Sequence, residues 1–423
     1  MIQSTNFTFK GIIVWLICAV FFLYEFLLRT VVGTFQHPIM YDLDLSAIEF
    51  ALISSTAYLA IYAIMQIPVG LIVDRIGLKN SLLIGASICA ASSIGFSYVD
   101  SYLWAIILRF STGFGSSFGF ICLLVAVYEW LPRKYIAFLV GVSQFIGTMG
   151  PMIAAGPFEY IAETGNIDWR TIFYALGFFG IILTVLIALY VSNNQEKSGQ
   201  YTVLKRPDGI TKILAALLTN RQAWIIAVFS GCIYFSLEYL SENDGKNFLI
   251  SKGLPSTLSA FMITFSWLGY ALACPVLGSL SDYFKRRKPF MVISAFLGTS
   301  GLVGIVFCSQ EAFLAASFFL LGIGAAGQSL GFVAMSEQFK PTHLAAGLSF
   351  NNGILMMLSA VNAPVIGSIL EHIKIGTYPS MDDYQFAFSF LIAAMSISII
   401  LSTYFFRETY GKSQADYTYL KRT

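Results

Sequence analysis

Charge is scarce in this 423-residue chain. Asp, Glu, Lys and Arg make up 11% of it, against about a quarter in an ordinary soluble domain. A chain so poor in charge cannot coat itself for water, which excludes a soluble globular fold. Histidine is nearly absent. His37, His343 and His372 fall in connections, away from cysteines and carboxylates, so no metal-ligand set is visible and no cofactor is expected. The six cysteines (Cys18, Cys89, Cys122, Cys232, Cys274 and Cys308) sit inside apolar stretches without CxxC spacing, and are read as small apolar fillers. A phosphate-binding loop is missing too. Gly411-Lys412-Ser413 resembles the end of one, but Phe406 stands where its first glycine belongs, which argues against an ATP-driven pump. No nucleophile–base pair lies at membrane depth, so an enzyme is not expected. The net charge of +2 gives no reason to expect a nucleic-acid partner.

What the chain has is apolar length: 57% hydrophobic residues and a mean hydropathy of +0.73. A helix needs roughly 20 apolar residues to cross a hydrocarbon core. Such stretches stand at about 11–36, 47–73, 80–98, 102–128, 135–158, 169–192, 222–242, 256–281, 288–308, 312–336, 343–370 and 384–406. The expected fold is an all-α integral membrane protein of about twelve transmembrane helices. The first stretch holds Glu25 and Arg29 and lacks a small-residue cleavage site, so it reads as a retained helix.

With the N-terminus inside, nineteen Lys and Arg residues fall on the side of the even-numbered connections and both tails. Arg170, Lys246, Lys252 and Lys374 are the four left on the other side. That asymmetry predicts cytoplasmic termini, and short loops favour a bacterial inner (cell) membrane. The Asn6-Phe7-Thr8 sequon then lies in the cytoplasm. The longest connection, 193–221, turns from polar to Ile210, Ile213, Leu214, Leu217 and Leu218 at helical spacing, as an interfacial helix would. It divides the chain into an N-terminal six-helix bundle (1–192), a cytoplasmic linker (193–221) and a C-terminal six-helix bundle (222–423).

The halves repeat. The segment Gly70-Leu-Ile-Val-Asp74-Arg75-Ile-Gly77-Leu-Lys79 is answered by Gly278-Ser-Leu-Ser-Asp282-Tyr-Phe-Lys285-Arg286-Arg287. Gly70 and Gly278, Asp74 and Asp282, Gly119 and Gly327, and Glu129 and Glu337 all share one offset of 208 residues, the mark of two halves of common design. Each segment sets a carboxylate at the membrane surface beside a basic turn. The carboxylate can meet the positive end of a neighbouring helix, and the basic residues can answer a carboxylate on the next helix. Gly70, Asp74, Arg75, Gly77, Lys79, Glu129, Gly278, Asp282, Arg286 and Glu337 are therefore the candidate gating residues.

The first segment resembles the G-x-L-x-D-R-x-G-R-K signature of the major facilitator superfamily, and the second its degenerate repeat. Leu78 replaces the usual Arg, and Phe284 the usual Gly. The resemblance implies two pseudo-symmetric bundles around a central cavity, working by alternating access on a small-molecule substrate in the lipid bilayer, and a monomer. Four ionisable residues lie inside spans: Glu25, Arg29, Arg109 and Glu238. Such residues tend to face a protein interior or a watery cavity. Arg109-Phe-Ser-Thr-Gly113-Phe-Gly115 resembles the family's R-x-x-Q-G-x-G motif, associated with proton coupling. Tyr24-Glu25 with Arg29 is similar to the substrate-binding cluster of anion:cation symporters, and more loosely to phagosomal nutrient transporters. The expected substrate-binding residues are Arg29, Arg109, Tyr24, Tyr234, Gln328, Asn351 and Asn352, with Glu25 and Glu238 for proton coupling. Gln144, Tyr239, Asn362 and Trp267 are further cavity candidates.

These readings imply a secondary transporter for an organic anion or amino acid by proton symport. Three alternatives stay open. Gly150-Pro151-Met-Ile-Ala154-Ala155 partly matches the antiporter motif and suggests drug or metabolite export. The substrate could be a nucleoside or other neutral solute. A non-transporting membrane receptor is the remote case.

Overall fold

The computed structural model describes residues 7–132, 136–192, 210–339, 344–374, 376 and 379–410. Among these, every regular element is helical. Eleven helical stretches are long and apolar enough to span a membrane. Helix Ile136–Ala154, with Pro151 inside it, stands where the fifth span is expected.

Local signals set many boundaries. Helix α1 (Phe9–Thr34) begins where the Thr8 hydroxyl accepts from the Gly11 amide at 3.1 Å. Short α2 (Gln36–Asp42) follows. A reciprocal Ser46–Glu49 capping box opens α3 (Ala47–Ala51), which runs through a π-helical segment, Leu52–Thr56, into α4 (Ala57–Ser97). Helix α4 covers two spans and turns at Gly77, whose φ of 82° is open to glycine. Lys285, 208 residues on, also has positive φ, 51°. The two connections of the repeat thus each place a positive φ at the same position.

The fourth span is α5 (Tyr102–Ser116) and α6 (Phe118–Trp130), followed by α7 (Ile136–Ala154), α8 (Gly156–Gly165) and α9 (Trp169–Tyr190). Helix α10 (Ile210–Thr219) occupies the end of the long connection. Then come α11 (Arg221–Glu242), α12 (Gly245–Ser251), α13 (Ser256–Phe284), α14 (Lys288–Phe307), α15 (Glu311–Ala325) and α16 (Gly327–Ser336). Helix α17 (Leu344–Ile373) precedes α18 (Met381–Ile400), which starts at a Ser380–Asp383 capping box. Prolines interrupt the ladders of α4 (Pro68), α7 (Pro151), α13 (Pro275) and α17 (Pro364). These are the second and fifth spans of each half. A missing backbone donor there gives each a bending point.

The described residues form two compact units. One draws on Met1–Gly199, Leu240–Thr264 and Ala363–Glu371, the other on Gln200–Tyr239, Phe265–Asn362 and His372–Thr423. In the first, α1 packs mainly on α7 and α6, and α4 on α5 and α9. In the second, α14 packs on α15 and α18. Helix α9 leaves Phe178, Ile181, Ile182, Val185, Leu186 and Leu189 exposed. An apolar face of that extent belongs against lipid.

Close glycine contacts carry the repeat into the packing. A Cβ on Gly113 would stand 2.4 Å from the Tyr58 carbonyl oxygen, and one on Gly322 would stand 1.8 Å from that of Ser266. Gly85 abuts Gly115, and Gly298 abuts Gly324. The motif glycines Gly70 and Gly278 have nothing within 4 Å of such a Cβ. Gly322→Ala is therefore expected to force backbones apart at a cost of about 1–3 kcal/mol or more. Gly278→Ala should be neutral or slightly stabilising, since alanine is the better helix former. Thermal unfolding of the two purified variants checks this, and equal midpoints would refute it.

Candidate functional site

Helix α1 presents three of the expected site residues, all buried. The Tyr24 hydroxyl donates to the Leu176 carbonyl of α9 at 3.0 Å, and its ring meets Phe179 edge-on. Tyr24 is thus engaged in helix packing. Glu25 accepts a 2.8 Å hydrogen bond from the Tyr58 hydroxyl. Gly119, the glycine of the 208 offset, makes room for it: a Cβ there would lie 2.8 Å from Glu25 Cγ. One turn on, Arg29 Nε lies 3.0 Å from Glu242 Oε1, and its guanidinium covers the Phe26 ring at 4.0 Å. The second Glu242 oxygen accepts from Ser55 Oγ at 3.1 Å. Both ends of this pair are almost wholly buried, at 3% and 0% exposure.

Arg109 reaches from α5 to four backbone carbonyls: Leu28 at 2.8 Å, Arg29 at 3.2 Å, Ile53 at 3.1 Å and Ser54 at 2.7 Å. The last two lie in the π-helical segment, where the i→i+5 pattern loosens the ordinary ladder and leaves carbonyl lone pairs to be met from outside. The guanidinium also stacks over Tyr58 at 4.9 Å. Arg109 ties the first span to the second with four of its five donor hydrogens.

The face carrying the odd-numbered connections holds a set of residues that the sequence reading passed over. The polar run Glu242-Asn243-Asp244-Gly245-Lys246-Asn247 looks like a solvated turn, yet every member is buried. Asn243 donates to Ser55 Oγ at 2.7 Å and accepts from Ser54. Asp244 accepts from Gln36 at 2.7 Å. Lys246 Nζ sits 2.7 Å from Glu159 Oε2 and 2.7 Å from the Thr34 carbonyl. Burial pushes the Lys246 ammonium below its ordinary range despite Glu159 beside it. Burial, then the Lys246 charge, depress His37. A cavity of about 340 Å³ opens here, lined by His37, Glu159, Glu163, Asp168, Trp169 and Lys246 among others. The signal available in sequence was compositional: two carboxylates, two amides and a cation in six residues, directly after an apolar helix.

In the second unit, Tyr234, Trp267 and Tyr270 form an aromatic cluster, with ring centroids 5.7–6.3 Å apart. Gln328 donates to the Tyr270 hydroxyl at 2.5 Å. Its oxygen, and both polar atoms of Asn351, have no hydrogen-bond partner among the described residues. Asn351 is fully buried, and Asn352 and Glu238 nearly so.

The two candidate gating segments differ in what is described. In the first, Gly70 is followed by Asp74, whose side chain lies outside the described residues. Arg75 is exposed, and Lys79 donates to the Ala188 carbonyl at 2.6 Å. Glu129 is half-buried. In the second, Arg287 takes the central place. It meets Asp282 at 2.6 Å and Glu337 at 2.9 Å, and Thr409 donates to the other Glu337 oxygen. Burial alone would depress this guanidinium, but its hydrogen bonds to Glu337 and Asp282 outweigh that and hold it above the ordinary arginine value. Arg286, the cation singled out from sequence, points away and is exposed. Lys285, immediately before these two arginines, has a positive φ.

This architecture has relatives. An inner membrane metabolite transport protein of Escherichia coli, YhjE, is 25% identical over 325 residues, covering 70% of this chain and 72% of its own. A probable sulfoacetate transporter of Cupriavidus necator is 23% identical over 254 residues, covering 56% of this chain and 58% of the relative. The crystal structure of a D-xylose–proton symporter superposes with a TM-score of 0.76 at 14% identity, over 95% of this chain and 99% of that one. That likeness concerns the fold. The sequence profile of the Major Facilitator Superfamily matches residues 16–243 and 246–418. With that match across its length the chain belongs to the Major Facilitator Superfamily, a family of multi-pass secondary transporters and not of enzymes.

Proposed function

We propose that this chain imports a small carboxylate-bearing solute, an organic anion or amino acid, together with a proton. In this reading Arg29 holds the substrate carboxylate after exchanging Glu242 for it. The observation that carries the proposal is the buried Arg29–Glu242 pair at 3.0 Å. A buried guanidinium needs a counter-anion at every stage, so a substrate carboxylate can displace Glu242 only if Glu242 is neutralised. Taking up one proton does this and leaves the site's net charge unchanged. Substrate and proton therefore travel together. Arg109 is unsuited to the anchoring role, because its donors are committed to backbone carbonyls. Glu25 and Glu238 stand as further proton carriers on the first and seventh spans. The sulfoacetate relative, named for an anionic solute, agrees with this choice. The nineteen-to-four basic asymmetry supports cytoplasmic termini in a bacterial inner membrane, with the protein acting as a monomer.

A second reading, a neutral polyhydroxylated solute, is favoured by the unpartnered amide atoms of Asn351 and Gln328. Buried amides without partners cost about 1–3 kcal/mol each, and hydroxyl groups of a ligand could meet them. The xylose symporter is consistent with that choice. A thermal-shift panel of carboxylates, sugars and nucleosides separates the two readings. Stabilisation by carboxylates in wild type, lost in Arg29→Ala and kept in Asn351→Ala, is the expected result. Stabilisation by neutral solutes alone, lost in Asn351→Ala, would replace the first reading with the second.

A further inference from the structure

We propose that the connection between α13 and α14 forms a binding site for the headgroup of an anionic phospholipid. Lys285, Arg286, Arg287 and Lys288 follow one another there, and the structure divides them. Arg287 turns inward and is spent on Asp282 and Glu337. Lys285 and Arg286 are exposed and Lys288 is half-buried, and none of the three makes an ion pair among the described residues. The four cations of the turn outnumber the carboxylates Asp282, Glu337 and Glu408 beside it.

The shape beside them fits a lipid. A cavity of about 440 Å³ is lined by Arg286, Lys288, Pro289, Val292, Ile293, Glu408 and Tyr410. Lys288 opens α14, and Val292 and Ile293 follow one turn further along it. Ile293 and Phe296, on that helix, are both exposed, as are Tyr283 and Phe284 at the end of α13. Aromatic side chains at this level suit the boundary between headgroups and acyl chains. Glu408 also lines the cavity, and would repel a phosphate if its charge faced in. Its oxygens instead accept from the amides of Arg287, Lys288 and Thr409, at 2.9, 2.9 and 3.0 Å. It thereby fills the start of α14 and holds the cationic turn in place. A free phosphate would use the cations alone. A phospholipid uses the cations and the apolar strip below them, and on that ground the lipid is the occupant.

Juxtamembrane cations each add about fivefold to the affinity for an anionic lipid surface. The test uses the full chain in neutral detergent, titrated with phosphatidylglycerol, phosphatidylcholine of the same acyl chains, or glycerol 3-phosphate. Native mass spectrometry reads lipids retained, and thermal unfolding reads stabilisation. Wild type and a same-face control, Arg221→Gln, should retain phosphatidylglycerol preferentially and unfold at a higher temperature with it. The triple variant Lys285→Gln, Arg286→Gln, Lys288→Gln should lose about a hundredfold or more in that affinity, while folding normally in phosphatidylcholine. Equal retention of the two lipids in wild type would overturn the proposal, as would unchanged selectivity in the triple variant. An equal effect of glycerol 3-phosphate would overturn it too, because the site would then recognise a soluble phosphoryl group. If the triple variant folds poorly, Arg286→Gln alone must still show about a fivefold loss.

Discussion

Replacing Glu242 by alanine is expected to destabilise the protein by about 3–5 kcal/mol, among the largest effects of any single substitution outside the apolar core. Glu242 is fully buried and supplies the anionic partner of Arg29 at 3.0 Å. Removing it strands a guanidinium that cannot shed its charge in a region where 97% of the arginine surface is withdrawn from solvent. The cost arises from the charge left behind, not from the value of the pair itself. The double variant Arg29→Met, Glu242→Met should therefore recover most of the loss, because two apolar side chains of similar size leave no stranded charge. Thermal unfolding of wild type, Arg29→Met, Glu242→Met and the double variant makes a complete cycle. Additive losses would mean that the two side chains act independently and would remove the ion pair from the proposed exchange mechanism as well.

The Arg29–Glu242 pair also marks the boundary of what the sequence disclosed. The spans were legible because a membrane helix must be long and apolar, and little else in a sequence produces that pattern. The repeat was legible because the turn residues recur at a fixed offset, and a positive φ recurs at that offset, at Gly77 and Lys285. Glu25 and Arg29 were legible as buried charges within an apolar run, but their partners were not. Glu242 lies 213 residues from Arg29 in the chain, at the head of a polar run with the composition of an ordinary exposed turn. Nothing local to Glu242-Asn243-Asp244 distinguishes a buried polar turn from a solvated one, since burial is decided by which helices meet it. The choice of Arg287 over Arg286 hid for a related reason. Neighbouring cations in one turn are equivalent until the backbone between them is known, and a positive φ at a lysine has no sequence signature. Arg109 was recognisable as a motif arginine. Its four carbonyl partners depend on a π-helical segment, Leu-Ile-Ser-Ser-Thr at 52–56, whose residues would suit an ordinary α-helix equally well.

Arg109→Lys preserves the positive charge and is nevertheless expected to cost about 3–6 kcal/mol and to abolish most transport. The arginine fork spreads its donors across two helices, serving Leu28 and Arg29 on α1 and Ile53 and Ser54 on the segment entering α4. A lysine ammonium is a point donor on a thinner stem. It can reach one of these carbonyl pairs but not both, so at least two buried carbonyls lose a charged partner. Hydrogen bonds to charged groups contribute about 1.5–3 kcal/mol each, and their loss cannot be made good by water in a site 1% exposed. The carbonyls released belong to the same stretch that holds Arg29 and Ser55, and hence Glu242. Loosening them should blur the geometry of the proposed exchange as well as weaken the fold. Thermal unfolding and proteoliposome uptake of Arg109→Lys, set beside Arg109→Gln, test this. If charge alone matters, the lysine variant will match wild type within about 1 kcal/mol and keep its transport, while the glutamine variant fails. If the fork matters, both variants will fail, and the lysine variant will be nearly as unstable as the glutamine one.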